Sequence, residues 1–214
     1  MVLNLITDSE TKVLFISPHP DDVELGAGAT LAKCVRLGAE VYYIALTNIE
    51  GNELIIDEMN KSIDILGVPK DNCKYFQYTN TGFDKERQEI LQDLDRIRDE
   101  LNPNIVFTPS SNDLHQDHYT TAIETLRSFK WFADIILGYN LSWNTIVQPF
   151  NSKLYVEVLK EDVSKKLEAL RCYKSQEKRY YMKREANDGL LRYYGLQAGF
   201  EYAEAFEIYK MVWK

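Results

Sequence analysis

Val13-Leu14-Phe15-Ile16-Ser17-Pro18-His19-Pro20-Asp21-Asp22-Val23-Glu24-Leu25-Gly26-Ala27-Gly28 is the stretch on which the reading of this chain turns. Val13 to Ile16 is continuously apolar, the pattern of a short strand buried on both faces. A helical pattern begins at about Glu24 and runs to about 37, where Gly38 ends it. Between them lies a turn of Pro, His and paired Asp. The unit is strand, polar turn, helix.

Outward from that unit the alternation repeats. Strands are expected at Val41 to Leu46, more weakly at Tyr75 to Tyr78, and at Ile105 to Thr108. Helices are expected over 54–66, ended by Gly67, and over 84–101, ended just before Pro103. Apolar strands alternating with helices of this length predict an α/β fold, a Rossmann-like three-layer α/β/α sandwich with a mostly parallel sheet. Further along, a helix at about 118–130 precedes a strand at Ile135 to Tyr139. Leu154 to Leu159 alternates as a strand, 160–174 and 183–196 read as helices, and Phe206 to Val212 as a last strand. No internal repeat, low-complexity tract or linker interrupts the pattern, so residues 1–214 read as a single domain.

With a net charge of -8, the chain lacks the concentrated Lys and Arg that nucleic acid or an anionic membrane requires. The basic residues of 165–184, interleaved with Tyr173, Tyr180 and Tyr181, read first as a solvated helix face and second as a contact for an anionic substrate group. Cys34, Cys73 and Cys172 are well separated, which argues against a disulfide framework. The start has no signal-peptide pattern, and no apolar run approaches the roughly 18 residues of a membrane span. The expectation is a cytoplasmic protein with no membrane or nucleic-acid partner. Association into a homo-oligomer is compatible with the sequence.

All three histidines, His19, His115 and His118, follow expected strands, each with Asp nearby. Ligands of open α/β sheets bind at the carboxyl ends of strands, so both His segments fall on one sheet edge. Asp21 to Glu24 also fits a helix cap, and Asn112 or Asp113 could cap the next helix. A cap needs one carboxylate, however, and here two adjacent ones follow a His and a rigid Pro. Two imidazoles and a carboxylate make a three-ligand site for a divalent metal with a position left for water. Zinc is favoured; the same set suits non-haem Fe(II) or another divalent ion. The segment at 19–22 supplies one carboxylate for the metal and one for a proton, and the remaining His can serve an oxyanion or a leaving amine. A dinucleotide fingerprint at Gly26-Ala27-Gly28 fails, because Leu31 stands where a third Gly is required, and these glycines read instead as permitting close helix–strand packing.

Pro18-His19-Pro20-Asp21-Asp22 and His115-Gln116-Asp117-His118 resemble the two hallmarks of the PIG-L or LmbE-like deacetylases. Leu46-Thr47-Asn48-Ile49-Glu50-Gly51, Glu58 with Leu66-Gly67-Val68, Gly138-Tyr139 with Trp143, Tyr173-Lys174-Ser175-Gln176, and Tyr202 to Phe206 look like further landmarks of that family. The resemblance implies zinc-dependent removal of an acyl group, usually acetyl, from an N-acyl amino sugar or related amide, with a small N-acetylated sugar or conjugate as partner. Carried over, it makes His19, Asp22 and His118 the metal ligands and Asp21 the general base. His115 becomes the oxyanion donor or general acid, tuned by Asp117. Glu50, Asp113 and Trp143 are the residues expected to contact substrate, and Tyr139 and Trp131 are further aromatic candidates. Ile49 departs from a usual Gly, Ile55 from an Arg carried by several members, and Asn140 from a frequent acidic residue. Two rivals are a non-haem iron oxidoreductase and a catalytically silent sugar-binding protein on the same scaffold. The spare Asp21 and the intact His/Asp set argue against them.

Overall fold

The computed structural model describes residues 10–49 and 52–212. Its sheet has the order β3-β2-β1-β4-β5-β7-β6. The strands are β1 Lys12–Ser17, β2 Glu40–Ala45, β3 Cys73–Tyr75, β4 Ile105–Pro109, β5 Ile135–Tyr139, β6 Leu154–Glu157 and β7 Ala203–Met211. The first five are parallel, and β7 pairs antiparallel with both β5 and β6. The helices are α1 Asp22–Arg36, α2 Glu53–Leu66, α3 Arg87–Leu101, α4 Gln116–Phe129, α5 Lys160–Leu170 and α6 Arg184–Ala198.

The continuous apolar run of β1 divides its side chains between two cores. Val13 and Phe15 join α1, α2 and α5 residues on one face. Leu14 and Ile16 join Ile90, Leu94 and Ile97 of α3 and Phe129 of α4 on the other. This is the expected mostly parallel three-layer sandwich, and it explains why β1 has no polar alternation.

The expected strand at Tyr75 to Tyr78 is displaced to Cys73–Tyr75. Phe76 and Tyr78 still donate to Ala45 and Leu46 carbonyls at the end of β2, and their half-buried rings both pack on the second core. The expected helix 160–174 ends at Leu170, and two 3-10 turns, Lys174–Gln176 and Tyr180–Met182, follow it. The basic stretch is therefore not one solvated helix face. Lys166 is buried and donates to Glu204 at 2.7 Å and to the Leu25 carbonyl at 2.7 Å.

Strand order reverses between β1 and β4, which lead to α1 and α4. That crevice is where doubly wound sheets bind ligands. No helix among the described residues is long and apolar enough to cross a membrane.

Candidate active site

The β1–α1 turn carries His19 and Asp21 and leads into Asp22 at the start of α1; the β4–α4 connection carries Asp113 and His115 and leads into Asp117 and His118. Ser17 Oγ donates to the His19 carbonyl at 2.6 Å and Asp22 Oδ2 accepts from the His19 N–H at 2.9 Å, which closes the first turn. Asp21 sits at the N-cap position with φ 95° and makes no side-chain cap hydrogen bond. The capping explanation of the Asp pair thus fails in the folded chain.

Three atoms meet between the two loops. His19 Nδ1 lies 3.1 Å from Asp22 Oδ2 and 3.1 Å from His118 Nε2, and His118 Nε2 lies 3.3 Å from Asp22 Oδ2. Carboxylates fix the far side of each ring. Asp117 Oδ2 is 3.0 Å from His19 Nε2, and Asp113 Oδ2 is 2.9 Å from His118 Nδ1. Each carboxylate takes a ring N–H, so in the neutral tautomers both inward nitrogens present lone pairs. Three acceptors facing one another need a positive charge among them.

The protonation tendencies express the same demand. Burial alone would lower the pKa of His118, but Asp22 and Asp113 outweigh it and push it up to about 10. Burial would raise the Asp22 carboxyl, yet His118 and His19 hold it far below the usual carboxylate range. A tetrahedral ion with ligands at 2.0–2.1 Å separates them by about 3.3 Å, so the spacing fits such an ion. The three His nitrogens also lie within 4.8 Å of one another, but Asp22 completes a tighter group than His115 does.

His115 occupies another place. Its Nδ1 accepts from the Asp117 N–H at 3.2 Å, which leaves the proton of the neutral ring on Nε2. The ring stacks on His118 with centroids 4.5 Å apart, and burial, then His118 and His19, lower its pKa. Asp21 is buried beside Asp22; burial first, then Asp22 and Glu24, raise its carboxyl pKa well above the ordinary value.

These groups line a cavity of about 510 Å³, within the size range of small-molecule sites. Its walls include Ile49, Ile55, Trp143 and Tyr181. Trp143 and Tyr181 stack at 4.1 Å with 10° between their planes. Among the described residues four non-Gly residues have positive φ, and three of them, Asp21, Ile49 and Thr81, line this cavity. For β-branched Ile49 and Thr81 that conformation is strained, and strain concentrates at functional sites.

Of the expected site residues, His19, Asp21, Asp22, His115, His118 and Trp143 come together on the cavity wall. Asp117 is buried beneath it; its carboxylate serves His19 and the N–H groups of Thr81 and Phe83, rather than His115. Asp113, expected to touch substrate, is buried behind His118 and also accepts from the His115 N–H. Glu50 lies outside the described residues. Tyr139 is fully buried and Trp131 is 81% exposed away from the cavity lining, so neither forms its wall. Asn140 is spent on Tyr194 and Thr145. Sequence reasoning missed Asn80 and Thr81 as lining residues, and it pointed to Gln176, Arg179 and Tyr181 only as parts of longer stretches. Nothing local in the sequence marks Asn80 or Thr81.

The chain is similar in sequence and in fold to several known proteins. A diacetylchitobiose deacetylase of Thermococcus kodakarensis is 34% identical over 123 residues, which is 50% of this chain and 45% of that protein. The match thus spans about half the length of that relative. An uncharacterised deacetylase of Escherichia coli, YaiS, is 28% identical over 174 residues, covering 76% of this chain and 90% of that one. The crystal structure of a conserved protein of Thermus thermophilus superposes with a TM-score of 0.79 at 25% identity, covering 94% of this chain and 96% of the other. The family model described as PIG-L, GlcNAc-PI de-N-acetylase, matches residues 14–128, which hold both His segments, and the chain belongs to that family.

Proposed function

We propose that this protein is a metal-dependent amide hydrolase that removes an N-acetyl group from an amino-sugar-derived substrate. The meeting of His19 Nδ1, Asp22 Oδ2 and His118 Nε2 at 3.1–3.3 Å carries this reading, with Asp21 and His115 beside them. Those three atoms would hold the ion, with zinc the first choice and Fe(II) or another divalent ion the second. When bound, the ion would polarise an acyl carbonyl and bring the pKa of a water to about 7.

Asp21 is the group left to take the proton from the attacking water. Its left-handed backbone turns it into the cavity, no helix N–H competes for its carboxylate, and burial favours the protonated state it must reach. Asp22 cannot share the task, because two histidines draw on it. His115, with its proton on Nε2, would donate to the oxygen of the tetrahedral intermediate or to the departing amine. The Trp143–Tyr181 wall offers an aromatic surface for a sugar ring. The deacetylase names of the two curated relatives support acetyl as the group removed.

The test is acetate release from a panel of N-acetylated sugars by protein stripped of metal and then reloaded with zinc. Release should require the metal, and Asp21→Asn should lose at least 100-fold in kcat while keeping one equivalent of zinc. Near-normal turnover in that variant would remove Asp21 from the role of base.

A further inference from the structure

We propose that Arg179 recognises an anionic substituent, so that this cavity takes amino sugars bearing a carboxylate or a phosphate. The inference rests on the hydrolase reading only for which end of the sugar reacts. Among the described residues Arg179 is the one cationic side chain, Lys or Arg, lining the cavity, opposite in sign to Asp21 and Asp22. Several of the chain's arginines stand against carboxylates, as Arg36 does on Asp162 and Arg192 on Asp188. No carboxylate of the described residues pairs with Arg179.

The side chain is nevertheless held in place. Its Nε donates to Gln176 Oε1 at 2.8 Å, and its backbone N–H donates to the Gln176 carbonyl at 2.9 Å. Its guanidinium carbon lies 5.9 Å from the centre of the Tyr181 ring, itself fixed against Trp143. With Nε engaged, the two terminal nitrogens form the planar fork that takes a carboxylate or phosphate bidentately. Neutral hydroxyls need no such group. An anionic substituent in a cavity that already holds two carboxylates does need one. The competing role for Arg179 is to offset the charge of Asp21, which would affect every substrate alike.

The zinc-loaded full chain is assayed for acetate release from N-acetylglucosamine, its 1-phosphate and its carboxymethyl glycoside. Wild type should favour at least one anionic sugar more than tenfold in kcat/KM. Arg179→Gln should cut that ratio at least tenfold, mainly through KM, Arg179→Lys should keep part of it, and Lys178→Gln should keep all of it. The phosphate and carboxylate arms tell which anion is read. A wild-type ratio within twofold of unity for both anions would overturn the proposal. So would an Arg179→Gln loss equal on all three sugars. If no sugar yields acetate, the hydrolase reading has failed, and calorimetric Kd ratios for the same three sugars decide Arg179 by the same criteria.

Discussion

Asp113 and Asp117 hold the outer ring nitrogens of His118 and His19, and the proposed metal site depends on the inward nitrogens this leaves free. Each holds a ring N–H at 2.9–3.0 Å, and Asp117 is further tied to two backbone N–H groups of the 81–83 loop. Partners of this kind typically contribute 10–100-fold to metal affinity. Asp113→Asn and Asp117→Asn should therefore each weaken zinc binding by about 10–100-fold in a chelator-competition titration; unchanged affinity in both would show that the rings are oriented by packing alone. The sequence placed both histidine segments at strand ends but could not distribute these carboxylates from adjacency. Residues two apart on a helix face different ways, whereas three apart share a face. His115 and His118 accordingly stack, while Asp117 turns across to His19. That geometry was available from the helix period. The anchoring of Asp117 by the N–H groups of Thr81 and Phe83 was not, because nothing local in that segment points to Asp117.

At the scale of elements, α1 must bring the 19–22 turn onto β4's loop, and its two glycines set how closely it can approach. A Cβ on Gly26 would stand 2.3 Å from the Tyr139 ring, whereas one on Gly28 would meet the Lys166 stem at 3.2 Å. Tyr139 cannot retreat readily, since it is fully buried and its hydroxyl donates to the Ile16 carbonyl at 3.0 Å. Overpacking of this kind costs about 1–3 kcal/mol. Gly26→Ala should lose stability in that range by urea unfolding and Gly28→Ala clearly less, because at 3.2 Å the Lys166 stem need give by only a few tenths of an ångström, whereas the Tyr139 ring would be overlapped outright. Equal costs would mean that helix propensity rather than the Tyr139 contact dominates. Close helix–strand packing was readable from Gly26-Ala27-Gly28. The clamp beside it was not: Glu204 accepts from the N–H groups of Ala29 and Thr30 in the middle of α1 while Lys166 pairs with it. A Lys inside a basic stretch reads as solvated, and only the docking of α5 shows that it is buried.

At the scale of the molecule, the reversal of strand order between β1 and β4 brings together residues 19, 22 and 118, the proposed ligands, which come from two segments far apart in the chain. The alternation of strands and helices made that sheet legible, while the antiparallel pairing of β7 with β5 and β6 depends on long-range contacts that no local pattern specifies. The same separation in sequence would make a bound metal a link between folding and function. The unfolded chain has no such site, so an ion bound only by the folded form stabilises it by about 2.7 kcal/mol at 100 times its Kd. For a chain of this size each kcal/mol moves Tm by about 2–4 °C. Zinc added to stripped protein should therefore raise Tm by roughly 5–10 °C. His19→Ala and Asp22→Ala should abolish most of the rise, since either removes one corner of the acceptor triangle. Arg179→Gln should retain it, because Arg179 touches none of the three atoms. A rise equal in all three variants would place the ion elsewhere, and with it the hydrolytic centre. No rise in the wild type, with zinc well above any useful Kd, would leave the three acceptors to a proton on His118, and the fold would then carry a charge-paired cluster instead of a metal centre.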